Sequence, residues 1–353
     1  MTDGRPVGEK GGVVDTGAGI CPLGPSGRVK AALRKAIKEI GVSPEAALKR
    51  LERFFLSKYG IPADNLLFAN SLGELVGCFL SSRPRKNIVV AGALPGLYGE
   101  VIPGASAESR YLLSGSLPPF AADPGGMLEA AGGADVVIVS NPDRTTGRLQ
   151  DNGLMSALCD MAAKGKLELV IDETLMEFTG REGIAARKEN VTTLRTTANY
   201  YGLPGLELAY AVSGAERIAE MRKRRCSAPN RLSIEAARTA LGDGAYKREV
   251  QRFLDEEKRL LARTFGRDRR FTFFGSDSNV YILGCQGWGE HHSVSLLRKG
   301  FIVREHRPAE GSEMPLLRMS LLSHDRNVKL GRLICGLPPA ASEVRPDEKA
   351  RFD

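Results

Sequence analysis

The chain has 353 residues, a formal net charge of +8, 42% hydrophobic and 26% charged residues. That length suits two domains or one large one with a sizeable core, and the composition is that of an ordinary globular protein. No run of about 18 apolar residues is present to span a bilayer, and the polar stretch Met1 to Lys10 lacks the apolar segment of a secretory leader.

Residues 1 to 20 read as a flexible arm. Cys21-Pro22-Leu23-Gly24-Pro25 reads as a turn, and Ser26 is a suitable N-cap for a helix from Gly27 to about Ile40. Pro44 opens a second helix, in which Ala47, Leu48, Leu51, Phe54 and Phe55 recur at helical spacing. Asn70-Ser71 precedes a third, over Leu72 to Ser81. Short apolar runs then alternate with helical ones. Ile88 to Ala91, Asp135 to Ser140, Leu167 to Asp172, Thr193 to Thr196 and Leu208 to Val212 read as buried strands, with helices over Met127 to Ala131 and Leu154 to Lys164 between them. This alternation predicts an α/β fold with a mostly parallel sheet.

After Asn230 the pattern changes. Helices over Ser233 to Leu241 and Tyr246 to Phe265 lead to strands at Phe271 to Phe274 and Asn279 to Leu283. Helix His292 to Lys299, strands Phe301 to Arg304 and Leu316 to Leu321, and helix Asp325 to Cys335 follow, as in a smaller α+β domain. The expected division is 1–44 as an arm and helix joining the small domain, 45–232 as the large domain, 233–337 as the small domain and 338–353 as a charged, disordered tail.

Cys21, Cys78, Cys159, Cys226, Cys285 and Cys335 form no C-x-x-C pair, which suggests free thiols in a reducing, cytoplasmic setting. His291, His292, His306 and His324 lack metal-ligand spacing with acids or cysteines, so no metal is assigned. The densest basic run, Arg222-Lys223-Arg224-Arg225, reads as a solvated helix end, since no nucleic-acid motif accompanies it.

Several motifs occur in a recognisable order. Gly19-Ile20-Cys21-Pro22-Leu23-Gly24-Pro25 is similar to N-I-N-P-L-G-P, and Asn70-Ser71-Leu72-Gly73-Glu74-Leu75 to N-G-A-S-E-L. Ser140-Asn141-Pro142-Asp143-Arg144-Thr145-Thr146-Gly147 resembles C-N-P-N-N-P-T-G, and Ile171-Asp172-Glu173 resembles V-D-E. The run from Arg195 to Tyr210, with Gly202-Leu203-Pro204-Gly205-Leu206 inside it, resembles R-S-L-T-K-F-Y-G-L-P-G-L-R-L-G-Y, and Leu317-Arg318-Met319-Ser320 resembles the late F-I-R-I-S strand. Over about 320 residues the chain thus resembles the class I/II aminotransferases of pyridoxal-phosphate (PLP) fold type I. The nearest branch is that of histidinol-phosphate aminotransferase and threonine-phosphate decarboxylase. The resemblance implies a large α/β/α domain, a smaller α+β domain, PLP as cofactor and a dimer with shared active sites.

PLP chemistry needs a lysine amine that holds the cofactor as an imine and moves protons at the substrate carbon. The resemblance places that lysine at Asn199, whose amide nitrogen is not nucleophilic, and no lysine lies between Lys188 and Lys223. The arginine that clamps the phosphate falls at Glu207. Two anions about 4 Å apart repel by about 4 kcal/mol at an effective dielectric near 20. The hydroxyl before the lysine falls at Ala198, the asparagine that bonds the ring oxygen at Arg144, and an aromatic hydroxyl at Leu175. The partner-subunit tyrosine has no counterpart in Gly41-Val42-Ser43.

Other family positions keep a suitable residue. Asp172 falls where the ring-nitrogen partner sits, or is a polar strand end. Tyr98 falls at the ring-stacking position, or is a core or surface tyrosine. Ser71, Leu72 and Gly73 offer amides at a helix start, with or without an anion. Thr196 is a hydroxyl donor or a buried strand threonine. Arg318 matches the arginine that binds the substrate carboxylate, and in an apolar strand it calls for an anion or an Asp/Glu partner. Two functions stay open. One is a pseudoenzyme that has lost Schiff-base chemistry and acts as a binding, regulatory or partner subunit, in a homodimer or a heterodimer with an intact relative, with a small anionic ligand and without nucleic acid or membrane. The other is an active PLP-dependent aminotransferase or decarboxylase acting on a phosphorylated amino acid.

Overall fold

A computed structural model of the chain describes residues 12–84, 87–91, 102, 108–112, 123–181, 183, 190–306 and 314–339. Tyr98 and residues 340–353 of the expected tail lie outside the described residues. In chain order, the first part comprises β1 (Val14–Asp15), α1 (Gly27–Ala36, drawn on by a 3-10 turn over Ile37–Glu39), α2 (Glu45–Tyr59), β2 (Leu66–Ala69), α3 (Leu72–Ser82), β3 (Asn87–Ala91) and β4 (Glu108–Leu112). Next come α4 (Pro124–Ala131), β5 (Val136–Ser140), α5 (Asn152–Ala163), β6 (Glu168–Asp172), β7 (Val191–Thr196), β8 (Ala209–Val212) and α6 (Ala215–Arg222). The last part holds α7 (Arg231–Leu241), α8 (Gly244–Phe265), β9 (Phe271–Phe274), β10 (Val280–Cys285), α9 (Glu290–Arg298), β11 (Phe301–Ile302), β12 (Arg304–His306), β13 (Leu316–Ser320) and α10 (His324–Gly336).

Strands β2 to β8 form one sheet in the order β2-β8-β7-β6-β5-β3-β4. The pairs from β4 to β7 are parallel, whereas β8 runs antiparallel to both β7 and β2. Val136-Val137-Ile138-Val139 of β5 is apolar throughout because both faces of the strand are covered, and all five of its residues are buried. Four antiparallel strands, β12-β13-β10-β9, make a second sheet. One hydrophobic cluster joins the two parts, from Leu51 and Phe55 of α2 through Tyr210 of β8 and Leu254 of α8 to Leu283 of β10 and Leu317 of β13.

The mostly parallel α/β sheet and the separate antiparallel one agree with the sequence expectation. The arm is a correction. Its described residues are not free, since Val14 and Asp15 pair in parallel with Phe301 and Ile302, and the Thr16 hydroxyl donates to the Ile302 carbonyl at 2.9 Å. The expected strand Phe301 to Arg304 divides accordingly, Phe301–Ile302 serving the arm and Arg304–His306 serving β13. In the basic run, Arg222 donates to the carbonyls of Ala63 and Leu66 (3.1 and 2.9 Å) and Arg225 to that of Phe68 (3.1 Å), so part of its charge closes backbone ends.

The loop after β5 is fixed to the small sheet at Gly147. Its φ is +72°, its amide donates to Asp143 O at 2.8 Å, and its carbonyl accepts from the amides of Asp277 and Ser278 at 3.1 and 3.0 Å. A Cβ there would collide with the Val280 carbonyl. Gly147→Ala therefore combines a left-handed backbone with an overlap, and should lower unfolding stability by about 2–3 kcal/mol, read as a fall in the urea midpoint.

Candidate functional site

The carboxyl ends of β5, β6 and β7 face the start of α3, the place where open α/β sheets bind ligands. Register assembles this corner. Thr196 of β7 and Ala69 of β2 both pair with Ala209 of β8. Because β8 runs against both neighbours, stepping back from Ala209 to Glu207 carries the chain between the end of β7 and the turn from β2 into α3. One Glu207 carboxylate oxygen accepts from the Thr196 hydroxyl at 2.7 Å and from the Leu72 amide at 3.2 Å. Leu72 is the first residue of α3, whose N-cap, Ser71, accepts from the Glu74 amide at 3.1 Å. A carboxylate of the chain itself thus sits where the positive end of a helix dipole attracts anions.

A second charge is answered at the other end of the corner. Asp172, at the end of β6, is fully buried. Its Oδ1 accepts from the Thr174 amide at 3.0 Å, and its Oδ2 pairs with Arg144 Nη1 at 3.1 Å. Asp172 thus holds the following turn and faces a guanidinium.

Asn199 turns toward the arm. Its Nδ2 donates to Gly19 O at 3.1 Å, and its backbone carbonyl accepts from the Cys21 amide at 2.8 Å. Ala198 is half-buried, and its amide donates to the Thr196 hydroxyl at 3.1 Å. Leu175 is buried in the cluster that joins the two parts.

Within the chain, Arg318 is held by two backbone carbonyls. Nε and Nη2 donate to Arg144 O at 3.0 and 2.7 Å, and Nη1 donates to Gly17 O at 2.6 Å. Three of the five guanidinium N–H groups are engaged in this way. Burial, then the nearby charges of Arg144 and Arg304, hold its pKa down at about 10. Carbonyl oxygens satisfy the donors without a counter-ion, so the apolar strand tolerates the side chain.

The structure therefore brings together Ser71, Leu72, Thr196, Glu207, Asp172, Arg144, Ala198, Asn199 and Arg318. Gly73, the second residue of α3, lies beside Leu72. Sequence reasoning did not anticipate Gly17 and Gly19, whose carbonyls hold Arg318 and Asn199, because the arm had been read as loose. Among the described residues no cluster of histidine, cysteine or acids is arranged to hold a metal, and no helix is long and apolar enough to cross a membrane.

A sequence model of the aminotransferase class I and II family matches residues 20–318, and the chain belongs to that family. It is 25% identical over 342 residues to the threonine-phosphate decarboxylase of Salmonella typhimurium (strain LT2), covering 93% of each chain. It is 26% identical over 291 residues to the histidinol-phosphate aminotransferase of Symbiobacterium thermophilum, covering 80% of this chain and 79% of that one. Among solved structures, the histidinol-phosphate aminotransferase of Clostridium acetobutylicum superposes with a TM-score of 0.80 at 19% identity, over 92% of this chain and 98% of that one. The Sinorhizobium meliloti enzyme, in complex with pyridoxal-5'-phosphate, gives 0.78 at 20% identity over 92% of each chain. These likenesses establish the fold as PLP fold type I.

Membership implies PLP as the cofactor, but the residues present do not fit it. The helix start and hydroxyl suited to its phosphate already hold Glu207, the acid suited to its ring nitrogen already holds Arg144, and Asn199 offers an amide in place of an amine.

If Glu207 is an internal anion at this helix start, Glu207→Ala should cost about 2–3 kcal/mol through two hydrogen bonds left without an acceptor. Millimolar inorganic phosphate should then raise the melting temperature of the variant more than that of the native chain. An equal response in both proteins would contradict the assignment.

Proposed function

We propose that this member of the aminotransferase class I/II family has given up Schiff-base chemistry and acts as a binding, regulatory or partner subunit on the aminotransferase scaffold. The observation that carries the reading is the Glu207 carboxylate bonded to Leu72 N and Thr196 Oγ1. A lost lysine alone leaves an anion site open to the cofactor. Here the anion site is filled from within, and a cofactor phosphate arriving there meets a carboxylate instead of a guanidinium fork.

The subunit role needs a partner surface. Ile37, Ile40 and Val42 fall within six residues between α1 and α2 and are 55, 65 and 56% exposed. Such apolar exposure supports burial against a second chain, either another copy or an intact relative. The reading adopts the dimeric build of the family and assigns the chain to the cytoplasm, in keeping with its six free thiols.

Two measurements test the proposal. Purified chain mixed with PLP should develop no imine absorbance and, after borohydride, no covalent adduct by mass spectrometry. Asn199→Lys with Glu207→Arg should restore the adduct with little turnover, since Arg144 and Leu175 remain. An adduct on the native chain would sink the proposal in favour of an active aminotransferase or decarboxylase. Light scattering at micromolar concentration should give twice the chain mass, and Ile40→Glu with Val42→Glu should halve it. If the chain is a monomer alone, mixing with an intact relative should yield the dimer, and failure of both would remove the subunit role.

A further inference from the structure

Strand alternation separates the two faces of the sheet at β7 and β8. Leu194, Ala209 and Ala211 pack against Leu75, Val76 and Phe79 of α3. Thr193, Arg195, Tyr210 and Val212 face the other way and line a cavity of about 680 Å³, closed by α2 and by the start of α8. None of Asn199, Asp172, Arg144, Glu207, Thr196 and Arg318 lines it. Its volume lies within the range of small-molecule sites.

Its walls are aromatic. Phe55, Tyr59, Tyr200 and Tyr210 contribute, with the Phe55 and Tyr210 rings 5.0 Å apart at 73° and the Phe55 and Tyr59 rings 5.3 Å apart. Faces and edges at these angles suit a further ring. Among the described lining residues cations outnumber acids. Arg195 is answered by Glu173 at 2.6 Å and by Glu177 at 3.6 Å. Lys58, Lys247 and Arg248 also line the cavity and have no carboxylate within 4 Å among the described residues. Lys58 donates to the Leu241 carbonyl at 2.6 Å. Burial, then the charge of Lys247, holds its pKa below the usual lysine range. Both lysines line the cavity, so an anion bound in it meets their positive charge. Glu177, with its side chain 8% exposed, has one carboxylate oxygen, Oε2, buried without a hydrogen-bond partner, which is an acceptor for an N–H or O–H donor.

We propose that this cavity binds an aromatic carboxylate whose ring carries an N–H or O–H donor, with the acid toward Lys58 and Lys247, the ring among the tyrosines and the donor toward Glu177. The site lies on the opposite face of the sheet from Glu207 and stands whether or not PLP binds.

Titration calorimetry of the full chain with indole-3-acetate tests it. Saturable binding at one site per chain is expected, weakened by salt. Indole and acetate, each lacking half of the pattern, should bind at least about tenfold more weakly. Lys58→Met with Lys247→Met should weaken indole-3-acetate by about tenfold and leave indole unchanged, with circular dichroism confirming the fold. Should that variant fail to fold, the single change Lys247→Met carries the same test. No saturable binding, binding indifferent to the lysine changes, or equal binding of acetate alone would each overturn the proposal.

Discussion

A helix start and a buried aspartate set the electrostatics of this corner. The first amide of α3, just after β2, and the Asp172 carboxylate, at the end of β6, stand on the same edge of the sheet with β8 and β7 between them, and each takes an opposite charge nearby. Glu207 answers the first and Arg144 the second. Both partners come from the chain, so the helix start and the aspartate each have their counter-charge within it. The desolvation of Asp172, fully buried, would be costly without its cation. With it, the loop after β5 is drawn onto the end of β6 and its backbone is aimed at Arg318.

Asn199 follows the same logic. A neutral amide bonded to Gly19 O ties the arm to the turn after β7. At this point, where the sequence resemblance places a reactive amine, the chain forms a structural contact. Glu207, Arg144 and Asn199 form one pattern, in which positions that the resemblance assigns to a cofactor carry contacts internal to the protein.

The fold was legible because its strongest signals are local. The β5 and β6 runs are short and apolar, and α2, α7 and α8 show helical spacing with suitable caps. What was missed had weak local signals. Leu66–Ala69 is a four-residue apolar run wedged between a 3-10 turn and the capped start of α3, so neither length nor flanks mark it as a strand. Glu108-Ser109-Arg110-Tyr111-Leu112 is mostly polar, as an edge strand can be, and it lies at the sheet edge. Ala215–Arg222 alternates charged and apolar residues without a side-chain cap. At the site, motif order identified the substituted positions, but partners are a non-local property. Glu207 was read as a repulsion, and its separation of 135 positions from Leu72 hid the bond it makes. Arg318 was expected to meet an anion or an Asp/Glu partner, and the two carbonyls it holds give no sign in a side-chain sequence.

The guanidinium of Arg318 also bears on the order in which the molecule is built. It joins Gly17, 301 residues upstream, to Arg144, 174 residues upstream, while Ser320 holds Thr16 across 304 residues. Contacts of such separation close long loops and form after local ones. During synthesis the large sheet has all its described strands once Val212 has emerged, and Gly19 and Cys21 can already meet Asn199, but Val14 to Gly17 gain their strand partners only when β11 and β13 follow. β1 therefore waits for β11 and β13, and the corner that holds Asn199 and Arg144 is sealed only when both have been made.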